Sequence, residues 1–204
     1  MKVFIYDNGL KLTNYVKAVT NLNLTPVLTK DLSKINECNS LLLTGGGNIC
    51  PAFYGEKNEE YYEYDYLTDI SEFYLIKQCL NKNKQIVGIC KGMQVLNVFF
   101  GGSLETVPDK IISNHYTFAK DIPHEITYNN GDKIIVNSMH KQRINNLGKG
   151  LKVEAISCDG TIEAISHDKY KVYGVQFHPE RLSEEFCNNF YKKFFGYGNK
   201  TINR

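Results

Sequence analysis

The chain has 204 residues, with 24 Lys and Arg against 22 Asp and Glu, which gives a formal net charge of +2. Hydrophobic residues make up 42% of the chain and charged residues 23%, both near the average for globular proteins. These values exclude wholesale disorder and a fibrous repeat, and they argue against a dedicated nucleic-acid binder.

The first half of the chain alternates short apolar runs with amphipathic stretches, which is typical of an α/β sheet protein. In the longest amphipathic stretch, apolar residues recur at helical spacing: Leu67, Ile70, Phe73, Tyr74 and Leu80. In chain order we predict strand Lys2–Tyr6, helix Lys11–Leu22, strand Pro26–Thr29, strand Ser40–Thr44, helix Leu67–Lys82, strand Gln85–Ile89 and helix Lys91–Phe100.

The second half changes to closely spaced strands with turn residues between them, which indicates an antiparallel section or a mixed sheet edge. A final helix, Ser183–Phe195, is predicted to bury Phe186, Phe190 and Phe194 on one face. We therefore expect one domain over residues 1–204, with a mostly parallel central sheet and an additional antiparallel section. The predicted strands are Glu125–Tyr128, Lys133–Asn137, Leu151–Ser157, Thr161–Ser166 and Val172–Phe177.

No apolar run approaches the roughly 20 residues of a membrane-spanning helix. The N-terminal segment Met1–Asp7 resembles a first strand and is too short for a signal peptide, so we expect a cytoplasmic protein without a membrane partner. No two cysteines form a CxxC pair, and a chain of this length needs no disulfide staples. Each cysteine is by default a small buried hydrophobe: Cys38, Cys50, Cys79, Cys90, Cys158 and Cys187.

The strongest local signal is the segment Gly88–Gly92, with the sequence GICKG, which follows an apolar strand and opens a helix. This is the G-x-nucleophile-x-G turn, with Cys90 where serine hydrolases carry serine. The residues two before and two after the nucleophile crowd each other, and here both are glycine. The turn also places the sulfur at a helix N-terminus, where the helix dipole favours a thiolate. A buried cysteine next to glycines that merely turn the chain is the alternative.

The second signal is the run His178-Pro179-Glu180 after a predicted strand. Proline favours an extended backbone at His178, and alternate residues of an extended segment point to the same side. The Glu180 carboxylate is therefore expected to reach the imidazole, which is the arrangement that activates a nucleophile. A surface His–Glu pair remains the alternative.

The third signal is the segment Leu43–Asn48, where a strand ends in three glycines. Glycine lets a backbone N–H approach a ligand closely, so this loop and the N–H of Lys91 are candidate oxyanion donors. A phosphate-binding loop and a plain loop are the alternatives, although the spacing lacks the known phosphate-loop patterns.

Other candidates carry weaker signals. The run Asn137–His140 lines a pocket or forms a simple turn, and the acidic, Tyr-rich run Glu59–Tyr66 forms a lid or a solvated loop. His115, His124 and His167 are expected to be structural or exposed, because no spacing among them indicates a metal site. We therefore predict no metal and no cofactor.

Together these segments resemble the class I glutamine amidotransferase-like hydrolases, in particular the branch that cleaves γ-glutamyl amides such as γ-glutamyl-γ-aminobutyrate. The segments that carry the resemblance extend over most of the chain. They are Leu42–Glu56 (LLTGGGNICPAFYGE), Val87–Leu104 (VGICKGMQVLNVFFGGSL), Val136–Gln142 (VNSMHKQ), Asp159–His167 (DGTIEAISH) and Gly174–Glu180 (GVQFHPE).

The resemblance implies a flavodoxin-like three-layer α/β/α fold and an amide hydrolase with a triad of Cys90, His178 and Glu180. Cys90 would attack the γ-carbonyl, His178 would transfer protons and Glu180 would orient the imidazole. The backbone N–H groups of Gly46 and Lys91 would stabilise the oxyanion. Substrate contacts are implied for Gly47, Gln94, Asn137, Ser138 and His140.

The chain departs from the family pattern at Thr44, where proline is usual, at Lys91, where arginine is usual, and at the pair Thr68-Asp69, where many members have Arg-Asp. It is also shorter before the nucleophile. These departures leave the triad intact and affect the region that shapes the pocket mouth. The leaving group is expected to be a nucleotide phosphoramidate, as in hydrolysis of γ-glutamyl-CDP-amidate for capsule modification, with Lys91 and neighbouring basic residues near the phosphates, or a small amine such as γ-aminobutyrate.

Two other functions stay open at this point. One is a glutaminase subunit that supplies ammonia to a partner synthetase. The other is a catalytically inactive binding module, against which the intact Cys–His–Glu set argues. The small-molecule γ-glutamyl conjugate is the expected partner, and a homodimer is left open.

Overall fold

The computed structural model describes residues 1–56, 64–117 and 120–195. Its strands are β1 (Lys2–Tyr6), β2 (Thr25–Thr29), β3 (Ser40–Leu43), β4 (Gln85–Ile89), β5 (Ser103–Thr106), β6 (Ile122–Tyr128), β7 (Lys133–Ser138), β8 (Gln142–Asn146), β9 (Leu151–Ser157), β10 (Ile162–His167) and β11 (Val172–Val175). Its α-helices are α1 (Thr13–Asn21), α2 (Tyr66–Asn81), α3 (Lys91–Phe99), α4 (Asp109–Ile112) and α5 (Glu184–Phe195).

Nine strands form one mixed sheet in the order β2-β1-β3-β4-β11-β10-β9-β6-β7. The first five of these run parallel, and the last four continue the sheet with antiparallel pairing. The predicted α/β class, with a parallel centre and an antiparallel section, is confirmed. A separate antiparallel pair, β5 with β8, was not predicted, and neither was α4, because these segments of four or five residues carry no alternating pattern of their own.

Helices cover both faces of the parallel region, as the flavodoxin-like prediction requires. Alternate residues of a strand point to opposite faces. On β1, Val3 and Ile5 belong to the core shared with α1 and α5, while Phe4 belongs to the core shared with α2 and α3. The sequence-predicted bounds of the four long helices agree with the structure to within two residues.

The buried faces of two helices differ from the apolar spacing in their sequences. On α2, Leu67, Ile70 and Tyr74 are exposed, because the inward face of its first turns is acidic instead and meets a buried lysine described below. On α5 the fully buried stripe is Cys187, Tyr191 and Phe195. The predicted stripe of Phe186, Phe190 and Phe194, one residue away around the helix, is only partly buried and packs at the margin of the core.

Among the described residues, no helix combines the length and the apolar character that crossing a membrane requires. All six cysteines are free thiols, and Cys158 alone of the six is exposed. Most of the predicted lid, residues 59–63, lies outside the described residues. Of its remainder, Tyr64 forms an isolated bridge with Asn48, and the Asp65 side chain caps α2 by accepting the N–H groups of Leu67 and Thr68 at 3.0 and 3.1 Å.

Candidate active site

Cys90 occupies a strained turn between β4 and α3. Its φ of 51° and ψ of −106° put a non-glycine residue in a backbone conformation that L-residues rarely adopt. A Cβ on Gly92 would lie 2.4 Å from the Leu43 carbonyl oxygen, and one on Gly88 would lie 2.6 Å from the Gly92 carbonyl. The requirement for small residues on both sides of the nucleophile is thus a steric fact of this chain.

The Cys90 side chain is buried with its sulfur at the N-terminus of α3. The backbone N–H of Cys90 donates to the Val175 carbonyl of β11 at 2.8 Å, which ties the turn to the neighbouring strand. The Gln176 amide donates to the sulfur at 3.5 Å. An amide donor and the positive end of a helix dipole both favour negative charge on the sulfur.

His178 lies just after β11, and its Nδ1 is 2.7 Å from Oε1 of Glu180. Both side chains are almost fully buried. Burial alone would lower the pKa of His178, but the charge and hydrogen bond of Cys90, followed by those of Glu180, outweigh it and raise the pKa to about 10. At neutral pH the arrangement therefore favours the protonated imidazole of His178.

Two further residues hold the imidazole in place. Asn137 clamps the backbone of His178: its Oδ1 accepts the His178 N–H at 2.7 Å, and its Nδ2 donates to the His178 carbonyl at 3.0 Å. The Tyr15 hydroxyl lies 3.4 Å from Nδ1 of His178 and accepts the Gly45 N–H at 2.9 Å. Tyr15 was not predicted, because nothing in the local sequence of α1 marks it; only the tertiary fold brings it to His178.

We expect Asn137→Ala to lower kcat roughly 10- to 100-fold with little change in KM, because a displaced imidazole loses alignment with the sulfur. It should also cost about 1–3 kcal/mol of stability, since two buried backbone groups of His178 lose their partner. Steady-state kinetics and urea unfolding measure both effects, with Asn129→Ala as the control, because that amide bonds a carbonyl in an exposed turn. A raised KM with unchanged kcat would instead assign Asn137 the predicted substrate contact.

Two cavities meet at the three-glycine loop. The first, of about 220 Å³, contains the nucleophile, and the second, of about 290 Å³, lies beside it. The first is lined by Gly46, Gly47, Asn48, Cys90, Lys91, Gln94, Tyr116, Met139, His140, Lys141 and Gln142. The second is lined by Asn8, Leu10, Gly46, Gly47, Asn48, Tyr64, Asp65, Thr68 and Lys91.

The predicted oxyanion donors Gly46 and Lys91 both line these cavities. The N–H of Lys91 is at the first position of α3 and has no intrahelical acceptor. A Cβ on Gly46 would lie 2.9 Å from Cδ of Lys91, and one on Gly45 would lie 2.8 Å from Cε1 of His178. The glycines thus permit the close approach of this loop to the site, and the oxyanion role of the two N–H groups stays a prediction.

The predicted substrate-binding residues divide between two positions. Gly47, Gln94 and His140 line the cavity that contains Cys90, whereas Asn137 and Ser138 are buried behind it. Gln94 is held in place because its amide donates to the Gln142 carbonyl at 2.9 Å and to Oε1 of Gln176 at 3.1 Å. Lys141, which sequence reasoning missed, also lines this cavity, with its ammonium 4.6 Å from the centre of the Tyr116 ring.

The Lys91 side chain reaches a buried ion-pair network beside the two cavities. Its Nζ lies 2.8 Å from Asp69 and 2.7 Å from Glu72, and all three side chains are at most 5% exposed. Burial lowers the pKa of Lys91, but Glu72 and Asp69 outweigh this and raise it, so the lysine is charged. Two carboxylates therefore already pair with its charge, and the contact of Lys91 with a substrate phosphate stays a prediction.

We expect Lys91→Met to cost about 3–5 kcal/mol of stability, because it leaves two buried carboxylates without a cation. The matched control is Lys133→Met, which breaks an exposed ion pair with Glu125 and should leave stability nearly unchanged. Urea unfolding at pH 7 compares the two variants. Equal stability of both would contradict the buried network.

The Peptidase C26 family matches residues 6–180 of the chain. With the fold and the site described above, this match defines a class I glutamine amidotransferase-like protein. The chain belongs to the Peptidase C26 family.

Individual relatives agree with this assignment. The chain is 35% identical over 178 residues to the glutamine amidotransferase-like protein YvdE of Lactococcus lactis subsp. lactis, covering 80% of this chain and 75% of that one. It is 30% identical over 121 residues to the γ-glutamyl-CDP-amidate hydrolase of Campylobacter jejuni, covering 59% and 54%. The crystal structure of a glutamine amidotransferase from Thermotoga maritima matches with a TM-score of 0.64 at 18% identity over 94% of this chain and 81% of that one, which supports the fold alone.

Proposed function

We propose that the protein hydrolyses γ-glutamyl amides, releasing glutamate and an amine or amidate, through a γ-glutamyl thioester on Cys90. One observation carries the proposal: a strained, buried cysteine lines a cavity and raises the pKa of an imidazole that a buried carboxylate holds at 2.7 Å. The family supports amide hydrolysis, and this geometry supports giving the catalytic steps to Cys90, His178 and Glu180.

In the first half-reaction the Cys90 thiolate attacks the γ-carbonyl carbon, and a C–S bond forms while the carbonyl oxygen becomes an oxyanion. The N–H groups of Gly46 and Lys91 stabilise that oxyanion. The C–N bond then breaks as the His178 imidazolium gives its proton to the leaving nitrogen. The raised pKa of His178 keeps this proton available at neutral pH.

In the second half-reaction neutral His178 takes a proton from water, and the resulting hydroxide equivalent attacks the thioester carbon. The C–S bond breaks, glutamate leaves and the thiolate is restored beside the imidazolium. Glu180 remains an acceptor of the Nδ1–H throughout and so keeps the imidazole in one tautomer.

The two cavities suit the two halves of the substrate. The cavity that contains Cys90 takes the glutamyl group, and the cation of Lys141 in its lining suits the glutamyl α-carboxylate. The neighbouring cavity takes the leaving group. In that cavity Asp65 is ionised, because hydrogen bonds from the side chain and the backbone N–H of Thr68 lower the pKa of Asp65. The charge of Lys91 is already paired with Asp69 and Glu72.

An acidic leaving-group cavity favours a cationic amine over a diphosphate, because like charges repel at short range. We therefore place a small amine first among the leaving groups. The Campylobacter relative supports the alternative, a nucleotide phosphoramidate.

Glutamate release from a panel of substrates tests the proposal: glutamine, γ-glutamyl-γ-aminobutyrate, a γ-glutamyl diamine and γ-glutamyl-CDP-amidate. The account predicts fast release from one conjugate, with the diamine first, and slow release from glutamine. If glutamate release is fastest from γ-glutamyl-CDP-amidate, the proposed hydrolase activity stands, but the leaving group is a nucleotide phosphoramidate and not a small amine. No glutamate release from any of the four substrates would contradict a hydrolase that acts without a partner.

A second candidate is a glutaminase subunit that supplies ammonia to a synthetase, which the names of the relatives favour. Such a subunit would be nearly silent alone and would hydrolyse glutamine when its synthetase is present. Co-purification of a synthetase, together with a rise in glutaminase activity on its addition, distinguishes this function from the first.

A further inference from the structure

Three imidazoles surround one buried carboxylate behind the nucleophile cavity. Oε1 of Glu163, on β10, lies 3.1 Å from Nε2 of His124, 3.9 Å from Nδ1 of His115 and 3.9 Å from Nε2 of His140. Local spacing in the sequence gives no sign of this cluster, because its members come from four separate segments of the chain. The proposed hydrolysis uses none of His115, His124 and Glu163.

Two of these imidazoles have one ring nitrogen at a hydrogen-bond acceptor and the other facing Glu163. Nδ1 of His140 lies 3.0 Å from the Gln142 carbonyl, which can only accept, so this nitrogen donates and Nε2 carries the lone pair. Nε2 of His115 lies 2.7 Å from Asp159. Burial raises the pKa of Asp159, but hydrogen bonds from Ser157, His115 and Thr161 outweigh it and lower the pKa, so the carboxylate is ionised and accepts.

This pattern is typical of metal-binding histidines, whose second ring nitrogen donates to a carboxylate or a backbone carbonyl.

The cluster also holds buried polar atoms that lack a well-aligned hydrogen bond. Glu163 is fully buried, and in the described part of the chain neither of its carboxylate oxygens has a well-aligned hydrogen bond. The same holds for Nε2 of His140 and for both ring nitrogens of His124. Unpaired buried polar atoms are rare in native proteins and costly, and a cation between these groups would satisfy several of them together.

We propose that His115, His124 and Glu163 bind a divalent transition-metal ion, with zinc the best match and His140 placed as a fourth ligand. The ligand atoms of the first three residues all lie within 4.8 Å of one another. In a tetrahedral zinc site, bonds of about 2.0–2.1 Å separate the ligand atoms by roughly 3.3 Å, so a modest contraction forms the site. Imidazole and carboxylate are ligands that zinc accepts.

The site stabilises the segment that supports the catalytic imidazole. The last two residues of β7 connect the cluster to the active site. Ser138 lies within hydrogen-bond distance of His115, and its neighbour Asn137 holds the backbone of His178. The role assigned to the ion is therefore structural: it fixes the end of β7 and the His140 wall of the cavity. The site is independent of the proposed function, since the ion takes no part in the hydrolysis.

Zinc content and thermal unfolding test the proposal on the full chain. The protein carries Cys90→Ala, so that the catalytic thiolate cannot bind metal, and is equilibrated with micromolar zinc before desalting. Elemental mass spectrometry should find about one zinc per chain, and a strong chelator should lower Tm. Absence of zinc, together with a Tm that the chelator does not change, would overturn the proposal in favour of a metal-free His124–Glu163 ion pair.

Matched variants locate the site. In the same background, Glu163→Gln and His124→Asn should lose the zinc, whereas His167→Asn should keep it, because His167 packs on Phe100 away from the cluster. Retention of zinc in Glu163→Gln would place the ion elsewhere and overturn the assignment. If the cluster variants fail to fold, the zinc content and the chelator effect in the Cys90→Ala protein still decide the question.

Discussion

Cys90→Ala is expected to lower kcat for γ-glutamyl amide hydrolysis by about 10⁴- to 10⁶-fold, because Cys90 is the one thiol among the described residues that line the cavity. The substitution removes the sulfur that forms the thioester and keeps the Cβ, so the strained turn retains its steric contacts. Glutamate release on the preferred substrate measures the loss, and circular dichroism checks the fold.

The matched control is Cys158→Ala, which removes an exposed thiol outside the site and should leave kcat unchanged. Activity of the Cys90→Ala protein within tenfold of the native enzyme would rule out the covalent mechanism.

Glu180→Gln is expected to lower kcat by about 10²- to 10⁴-fold, because the amide leaves the imidazolium without its buried counterion and permits the wrong tautomer. The sign of the pH effect follows from the same charge. Negative charge on Glu180 contributes to raising the pKa of His178 to about 10, so its removal lowers that pKa. Deprotonation of the general acid then begins at lower pH.

A pH profile of kcat measures this effect. The alkaline limb of the Glu180→Gln enzyme should move to lower pH than that of the native enzyme. Glu184→Gln, at the exposed start of α5, is the control and should change neither rate nor profile. If the pH profile of Glu180→Gln equals that of the native enzyme, the Glu180 charge does not act on the pKa of His178, which would contradict the triad.

The sequence predicted those parts of the site that short segments encode. The tight turn at Cys90 needs small residues at fixed positions, which local spacing shows. The Glu180 carboxylate lies beside the imidazole as predicted, but the backbone predicted to be extended there is a short 3₁₀ helix over Pro179–Arg181. Tyr15 and the cluster around Glu163 were invisible, because their partners lie in distant segments that only the sheet topology brings together.

The differences between the predicted and the observed fold have a similar cause. Apolar spacing located α2, but it does not mark the buried face of the first turns, because Asp69 and Glu72 are buried there and pair with Lys91. Hydrophobic periodicity assumes that buried positions are apolar, and a buried ion-pair network breaks that assumption. The strands β5 and β8 pair only with each other and are too short for a period to be read.

Covalent labelling tests the central claim most directly. The protein is treated with 6-diazo-5-oxo-L-norleucine, a glutamine analogue in which a diazomethyl group replaces the amide nitrogen. Its diazo-bearing carbon, next to the carbonyl, bonds to the attacking sulfur as N₂ leaves, and the labelled peptide is located by mass spectrometry. The account predicts one adduct per chain on the buried Cys90, with the exposed Cys158 unlabelled, and protection by a slowly hydrolysed γ-glutamyl amide. If the reagent instead modifies the solvent-exposed Cys158 and leaves Cys90 unmodified, the result would contradict a γ-glutamyl site built around Cys90.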